Sequence, residues 1–247
     1  MLEGDENAPL VTLVNGYART HTDFRILSKR LVSEGYRVLT LDNRGSGMSK
    51  AASDFTIPEM ALDVIALWDY LDISSSYLLG ISMGGIISQY LSAYDSRVEK
   101  LILVSTTSSK EHITPDPVAF SEDFDEVYGK MTSYFHPVFV EKNKMLLEAM
   151  VKQMVASAKE GEFVTQSIMQ RKALNAFDLT SIDYSKIDLQ CLILHGDDDH
   201  VITVGAAHEL NRKIRGSEVK TYKECGHLIL AEKPTELYKD VLGFLKH

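Results

Sequence analysis

Residues 77–91, YLLGISMGGIISQYL, set one serine between two apolar stretches of different period. Ser82 lies in Gly80-Ile81-Ser82-Met83-Gly84, a G-x-S-x-G pattern between a predicted strand and a predicted helix, the setting such a pattern requires. The sharp turn it implies strains the serine backbone and leaves room only for hydrogen at the flanking glycines, so the hydroxyl is pushed into the open at the C-terminal edge of a sheet. A free alcohol is a weak nucleophile at neutral pH, so chemistry at Ser82 needs a base in contact and an acid that orients the base. Of eight histidines, His227 in ECGHLILAEKP is best placed for the base: it follows the last predicted strand, succeeds Gly226 and precedes the last helix. His195 sits nearer a strand interior, and the other six fall in loops, an inserted segment, a helix or the terminus.

For the acid, HGDDDHVIT offers Asp197, Asp198 and Asp199 just past a strand that ends near Leu194. Asp199 is favoured because the loop needs a few residues to bend back toward the site, and Asp198 is the second choice. The resulting chain order is Ser, Asp, His, as on doubly wound sheets rather than β-barrel proteases. A tetrahedral intermediate would also need two aimed backbone N–H groups. Met83, first residue of the helix after the serine, supplies one; Tyr17, after Gly16 in VNGYART, supplies the other.

Positioning these groups takes a parallel sheet, and the chain alternates short apolar runs with amphipathic stretches as such a sheet demands. Strands are predicted at Pro9–Val14, Tyr36–Asp42, Ser76–Gly80, Val98–Ser105, Gln190–Gly196 and Ser217–Tyr222. Between the second and third, Ile57, Met60, Ala61, Val64, Leu67, Trp68 and Leu71 share one helical face with Pro58 in the first turn, which makes the sole Trp a core residue. After Ser105 roughly eighty residues pass before the next strand, far beyond a normal connection. The chain is therefore divided into an α/β core, 1–108 and 188–247, and a helical cap, 109–187, that opens with polar residues and two prolines. Helices are expected over Phe120–Tyr134, Val138–Ala158 and Phe163–Ala176. Five of the nine methionines (131, 145, 150, 154, 169) belong to the cap, either as an adaptable apolar underside or as filling for its own core.

Bulk properties narrow the function. With 247 residues, 45% of them hydrophobic, the chain can bury a sizeable core. A net charge of −9 disfavours nucleic acid and anionic membranes as partners. The first residues lack a basic start followed by an apolar run, and no uncharged apolar stretch reaches 18 residues, so cytoplasmic residence is expected. The two cysteines, Cys191 and Cys225, read as reduced core thiols, and their surroundings hold no metal-ligand spacing. DNRGSGMS (Asp42 to Ser49) contains G-x-G after a strand, but Lys50 stands where a dinucleotide fingerprint has its third glycine. That loop is read as support near the site mouth, with Arg44 bonded to neighbouring loops.

Taken in order, the strand ending in NGY, then DNRGSGMS, GISMGG, GDDD and CGHLILAEKP, make the chain from about Ala8 onward resemble the α/β-hydrolase family, nearest in character to small capped esterases, enol-lactonases and cofactor-free haloperoxidases. The resemblance implies an α/β-hydrolase fold and the roles given above for Ser82, His227, Asp199, Tyr17 and Met83, with no metal or organic cofactor. The expected reaction is hydrolysis of a carboxylic ester, thioester or lactone of a small, rather apolar acyl substrate. Carbon–carbon bond hydrolysis or acyl transfer by the same triad, and ligand binding without turnover, stay open; dehalogenation is disfavoured because on this fold it uses a carboxylate where this chain has Ser82. Three departures stand out. Asn15-Gly16 replaces the family's His-Gly, Thr203 replaces a proline after the acid, and only about eight residues precede the first parallel strand where the family has a hairpin of some twenty. The last leaves a shortened sheet edge or marks a truncated chain, and an uncovered edge invites pairing into a homodimer.

Overall fold

The computed structural model describes residues 1–114 and 120–247. Pro115 and Pro117, assigned to the polar opening of the insertion, lie outside the described residues. Among the described residues seven strands form one sheet: β1 (Leu2–Glu3), β2 (Leu10–Val14), β3 (Arg37–Thr40), β4 (Ser76–Ile81), β5 (Val98–Val104), β6 (Gln190–Gly196) and β7 (Glu218–Tyr222). Their order is β1-β3-β2-β4-β5-β6-β7, parallel throughout except for β1. The six predicted strands are thus β2 to β7, with ends shifted by a residue or two. Absent from the prediction is β1, too short to carry a pattern; its Leu2 and Glu3 pair with Leu39 and Val38, so a two-residue antiparallel strand occupies the edge beside β3.

The apolar runs of β2, β4, β5 and β6 are nearly continuous because both faces of the sheet are covered there, whereas the edge strand β7 (EVKTY) is largely exposed. Helices α1 (Arg25–Ser33), α2 (Ile57–Tyr70), α3 (Met83–Tyr94), α4 (Phe124–Thr132), α5 (Pro137–Lys142), α6 (Lys144–Ala158), α7 (Gly161–Ala176), α8 (Gly205–Lys213), α9 (Ile229–Glu232) and α10 (Pro234–Lys246) follow in chain order. Leu101 and Leu103 join one core with α2, α3 and α8, while their alternates Ile102 and Val104 join the other with α1 and α10. Trp68 is fully buried in the first of these, its Nε1–H donating to Thr12 Oγ1 at 3.0 Å. Start signals are written locally: Thr56 and Glu59 form a reciprocal capping box that spans Pro58 at the start of α2.

Helices α4 to α7 occupy the long interval between β5 and β6. The expected single helix over Val138–Ala158 is instead two, α5 and α6, broken at Asn143 (φ −124°, ψ 30°). Phe139 O accepts both the Asn143 backbone N–H at 3.0 Å and the Asn143 side-chain amide at 2.9 Å, and Asn143 O accepts from Leu147 N–H at 3.0 Å, so one residue closes α5 and opens α6. The first expected helix likewise begins at Phe124 rather than Phe120, because Asp123 caps it by accepting from Glu126 N–H at 2.8 Å. Val127, Met131, Phe135, Leu147 and Val151 form a separate small core, joined by Met150 and Met154. Three of the five methionines therefore fill that core. Met169 packs on the main core, whereas Met145 is 86% exposed.

Candidate active site

The parallel order reverses direction beside β2: its neighbours β3 and β4 lie on opposite sides, so the loops leaving β2 and β4 diverge at a topological switch point, where crevices form. Ser82 leaves the end of β4 there with φ 54° and ψ −121°, a conformation that costs an L-residue about 1–3 kcal/mol. Its surroundings fix it. Ser82 N–H donates to Val104 O at 2.9 Å, and Thr106 Oγ1 donates to Ser82 O at 2.7 Å. A Cβ on Gly84 would stand 2.2 Å from Val14 O, and one on Gly80 would stand 2.3 Å from Ser88 Oγ, so both glycines are dictated by close approach.

His227 follows β7 and Asp199 follows β6. His227 Nε2 lies 3.1 Å from Ser82 Oγ, and His227 Nδ1 lies 2.8 Å from Asp199 Oδ2. The structure thus brings Ser82, His227 and Asp199 into one hydrogen-bonded chain. Asp198, the second choice, turns away toward His200 (3.4 Å) and His136 (3.8 Å). The other Asp199 oxygen accepts the N–H groups of Val201 and Ile202 at 2.8 and 2.9 Å, which locks the carboxylate in its loop. Burial raises the Asp199 carboxyl, but the charges and hydrogen bonds of His227 and His195 outweigh it and hold the group well below the ordinary carboxylate range. His227 is itself held: its N–H donates to Tyr134 O at 2.8 Å, and Glu232 accepts from Gly226 N–H at 2.8 Å and His136 N–H at 3.0 Å.

His195 has a closer connection to the site than its strand position suggested. Fully buried, it places Nε2 2.8 Å from Ile202 O and 3.3 Å from Asp199 Oδ2, so the same carboxylate oxygen faces two imidazoles. The period of β6 points its side chain inward, but nothing in the sequence said that the following loop would fold back over it.

The loop after β2 runs alongside the serine: a Cβ on Gly16 would lie 3.3 Å from Ser82 Cβ and 3.9 Å from Ser82 Oγ. Asn15 Oδ1 accepts from Gly16 N–H at 2.8 Å, and its Nδ2 donates to Thr20 O (2.6 Å) and Asp23 Oδ2 (3.0 Å). Asparagine in place of histidine therefore braces the loop through its own amide. Tyr17 comes next, and Met83 opens α3, where a first-turn N–H has no intrahelical acceptor. Arg44 differs from expectation: its hydrogen bonds go to helices rather than loops, the guanidinium to Asp63 on α2 (Nε to Oδ2, 2.7 Å) and the carbonyl to Gln170 on α7, while the guanidinium lies 6.0 Å from the ring centroid of Phe55.

Thr203 has a use that a proline lacks, since its N–H donates to His112 O at 2.9 Å and ties the loop after β6 to the segment that follows β5. Beside it Glu209 accepts from Lys213 (2.7 Å), Ser108 (2.9 Å) and His112 (2.8 Å). Burial raises the Glu209 carboxyl, but these three donors prevail and bring it to about 2 from 4.5. A depressed acid stabilises the fold above its unfolded pKa, and that contribution disappears as pH falls toward the folded one. Between pH 5 and 2 the parent should therefore lose on the order of 2 kcal/mol more than Glu209→Gln, after discounting for partial exposure. Urea unfolding across that range measures it, and parallel curves would refute it.

Cys191 and Cys225 are free and buried, and burial pushes both thiols up, out of reactive range. Among the described residues no helix is long and apolar enough to cross a membrane, and no group of three or more His, Cys, Asp or Glu could hold a metal ion.

An open parallel sheet with a serine in a strained strand-to-helix turn and a histidine and carboxylate from the last two strands defines a class. The profile of the α/β hydrolase fold family matches residues 9–234, and the chain belongs to that family. Over 99% of its length it is similar, at 25% identity, to 3-oxoadipate enol-lactonase 1 of Acinetobacter baylyi, covering 91% of that protein. It is 28% identical to a 2-hydroxy-6-oxononadienedioate/2-hydroxy-6-oxononatrienedioate hydrolase of Escherichia coli, with 98% and 88% covered. The crystal structure of the enol-lactonase from Burkholderia xenovorans LB400 superposes with a TM-score of 0.81 at 24% identity, covering 100% of this chain and 95% of that one. The fold is shared with it.

Proposed function

We propose that the protein is a serine hydrolase that cleaves a carboxylic ester, thioester or lactone of a small apolar acyl substrate. The observation that carries this reading is the unbroken chain Ser82 Oγ, His227 Nε2, His227 Nδ1, Asp199 Oδ2, with distances of 3.1 and 2.8 Å. In this reading Ser82 Oγ bonds to the acyl carbon while its proton passes to His227 Nε2. Asp199 stabilises the imidazolium and fixes its orientation without itself taking the proton. The N–H groups of Tyr17 and Met83 receive the oxyanion. Collapse of the intermediate breaks the bond to the leaving alkoxide or thiolate, which takes the proton from His227. Water then attacks the acyl-enzyme, giving its proton to His227 and releasing the acid and Ser82.

A second reading keeps the triad and breaks a carbon–carbon bond; it is favoured by the similarity to the E. coli hydrolase at 28% identity. Both make a small molecule the partner and need no cofactor. A fluorophosphonate probe tests what they share. Stoichiometric mass gain on the peptide bearing Ser82, abolished in His227→Ala, is the expected result. A folded sample that takes up no label would instead mark a ligand-binding protein. Initial rates on p-nitrophenyl esters, lactones and vinylogous diketones then separate the two reactions.

A further inference from the structure

Gln170 lies on α7, outside every motif of the site, and is fully buried. Its Oε1 accepts from Ala18 N–H at 2.8 Å, across 152 residues, and its Nε2 donates to Arg44 O at 2.8 Å, across 126. A side chain of full amide bonding capacity placed in the interior is costly unless both ends are met, so this one holds two loops in a fixed relation. The space is prepared for it: a Cβ on Gly45 would stand 3.0 Å from Gln170 Cγ.

Ala18 directly follows Tyr17 and has φ 54°, a left-handed backbone that is unfavourable for an alanine. Something must hold it. The bond from Gln170 grips the 17–18 peptide, while Asn15 Oδ1 grips the 15–16 peptide at 2.8 Å. The Tyr17 N–H therefore lies between two anchored peptide planes, one of them anchored from the inserted helices rather than from the core. Arg171, next on α7, places its guanidinium 5.1 Å from the Tyr17 ring centroid and adds a second contact from the same helix. One turn earlier, Gln166 makes paired bonds to Ala51 (N–H to Oε1, 2.8 Å; Nε2 to O, 2.9 Å), which fastens α7 to the core without touching the loop at Tyr17.

We propose that Gln170 is a positioning residue that aims the Tyr17 N–H at the oxyanion, so that the inserted helix α7 completes the oxyanion hole. This rests on the serine-hydrolase reading above. A donor displaced by about 1 Å costs up to 10²-fold in rate, and an oxyanion contact realised in the transition state alters kcat more than KM. Gln170→Met, which keeps the length and loses both bonds, should lower kcat for p-nitrophenyl acetate about 10- to 100-fold with KM within about threefold. Gln170→Glu, which restores the acceptor for Ala18 N–H, should recover part of that loss. Gln166→Met is the control for simple loosening of α7; it should lower the Tm comparably and leave kcat within about twofold. Hydrogen exchange of the peptide spanning residues 15–20 supplies a readout independent of turnover: faster in Gln170→Met, unchanged in Gln166→Met. Equal losses of kcat in the two methionine variants, or no change in loop exchange in Gln170→Met, would overturn the positioning role. If the parent neither turns over esters nor takes up the fluorophosphonate, the hydrolase reading fails on its own, and the exchange data still decide whether Gln170 holds the loop.

Discussion

Ser82→Ala is expected to lower kcat/KM for ester hydrolysis by roughly 10⁴- to 10⁶-fold, because in the proposed mechanism the nucleophile and its base act as a unit and the loss of either removes most of what both contribute. The residue left behind keeps the strain of the turn, since φ 54° and ψ −121° are as unfavourable for alanine as for serine. Ser82→Gly should be just as inactive yet more stable than Ser82→Ala by about 1 kcal/mol, glycine being the one residue that adopts this conformation freely. The comparison separates chemistry from folding in one experiment: two dead variants, of which the glycine melts higher. Activity in Ser82→Ala within tenfold of the parent would remove Ser82 from the reaction, and equal melting temperatures would mean the turn stores no strain.

That turn was legible because its causes are local. The glycines at 80 and 84 are forced by atoms that any strand-turn-helix of this kind brings near, Gly84 meeting Val14 O and Gly80 meeting Ser88 Oγ. Likewise the alternate burial of Leu101, Ile102, Leu103 and Val104 follows from the two-residue period of a strand covered on both sides. The helix boundaries between β5 and β6 were harder. Asn143 breaks a pattern whose apolar residues continue on either side of it, since the break is a turn in the backbone of one residue (φ −124°, ψ 30°) rather than a change of period. Least legible were Gln166 and Gln170. Polar residues on a helix read as a solvated face, and their partners, Ala18, Arg44 and Ala51, are reached through backbone atoms that no side-chain pattern reveals. His195 is a similar case, its meaning fixed by a carboxylate four residues later that only the folded loop turns back toward it.

Asp199→Asn should lower kcat about 10⁴-fold while the protein stays folded, and the hydrogen bonds around the carboxylate dictate why. One oxygen accepts two backbone N–H groups, from Val201 and Ile202, and an asparagine must keep its carbonyl there to preserve the loop. Its amide NH₂ is then forced to the other side, facing His227 Nδ1 and His195 Nε2. An NH₂ group can only donate, so His227 must accept at Nδ1 and carry its proton on Nε2, the nitrogen 3.1 Å from Ser82 Oγ. In that tautomer the ring offers a proton to the hydroxyl from which it should take one. His195 suffers as well, because its Nε2–H keeps Ile202 O but now meets a donor where a carboxylate stood. Asp198→Asn, whose carboxylate faces His200 and His136 instead, should remain within about twofold of the parent. Steady-state kinetics on a single ester decide between the two carboxylates. If Asp198→Asn were the crippled variant and Asp199→Asn the active one, the orienting acid would be the neighbour, and the imidazole would have to rotate away from the arrangement that now links it to Ser82.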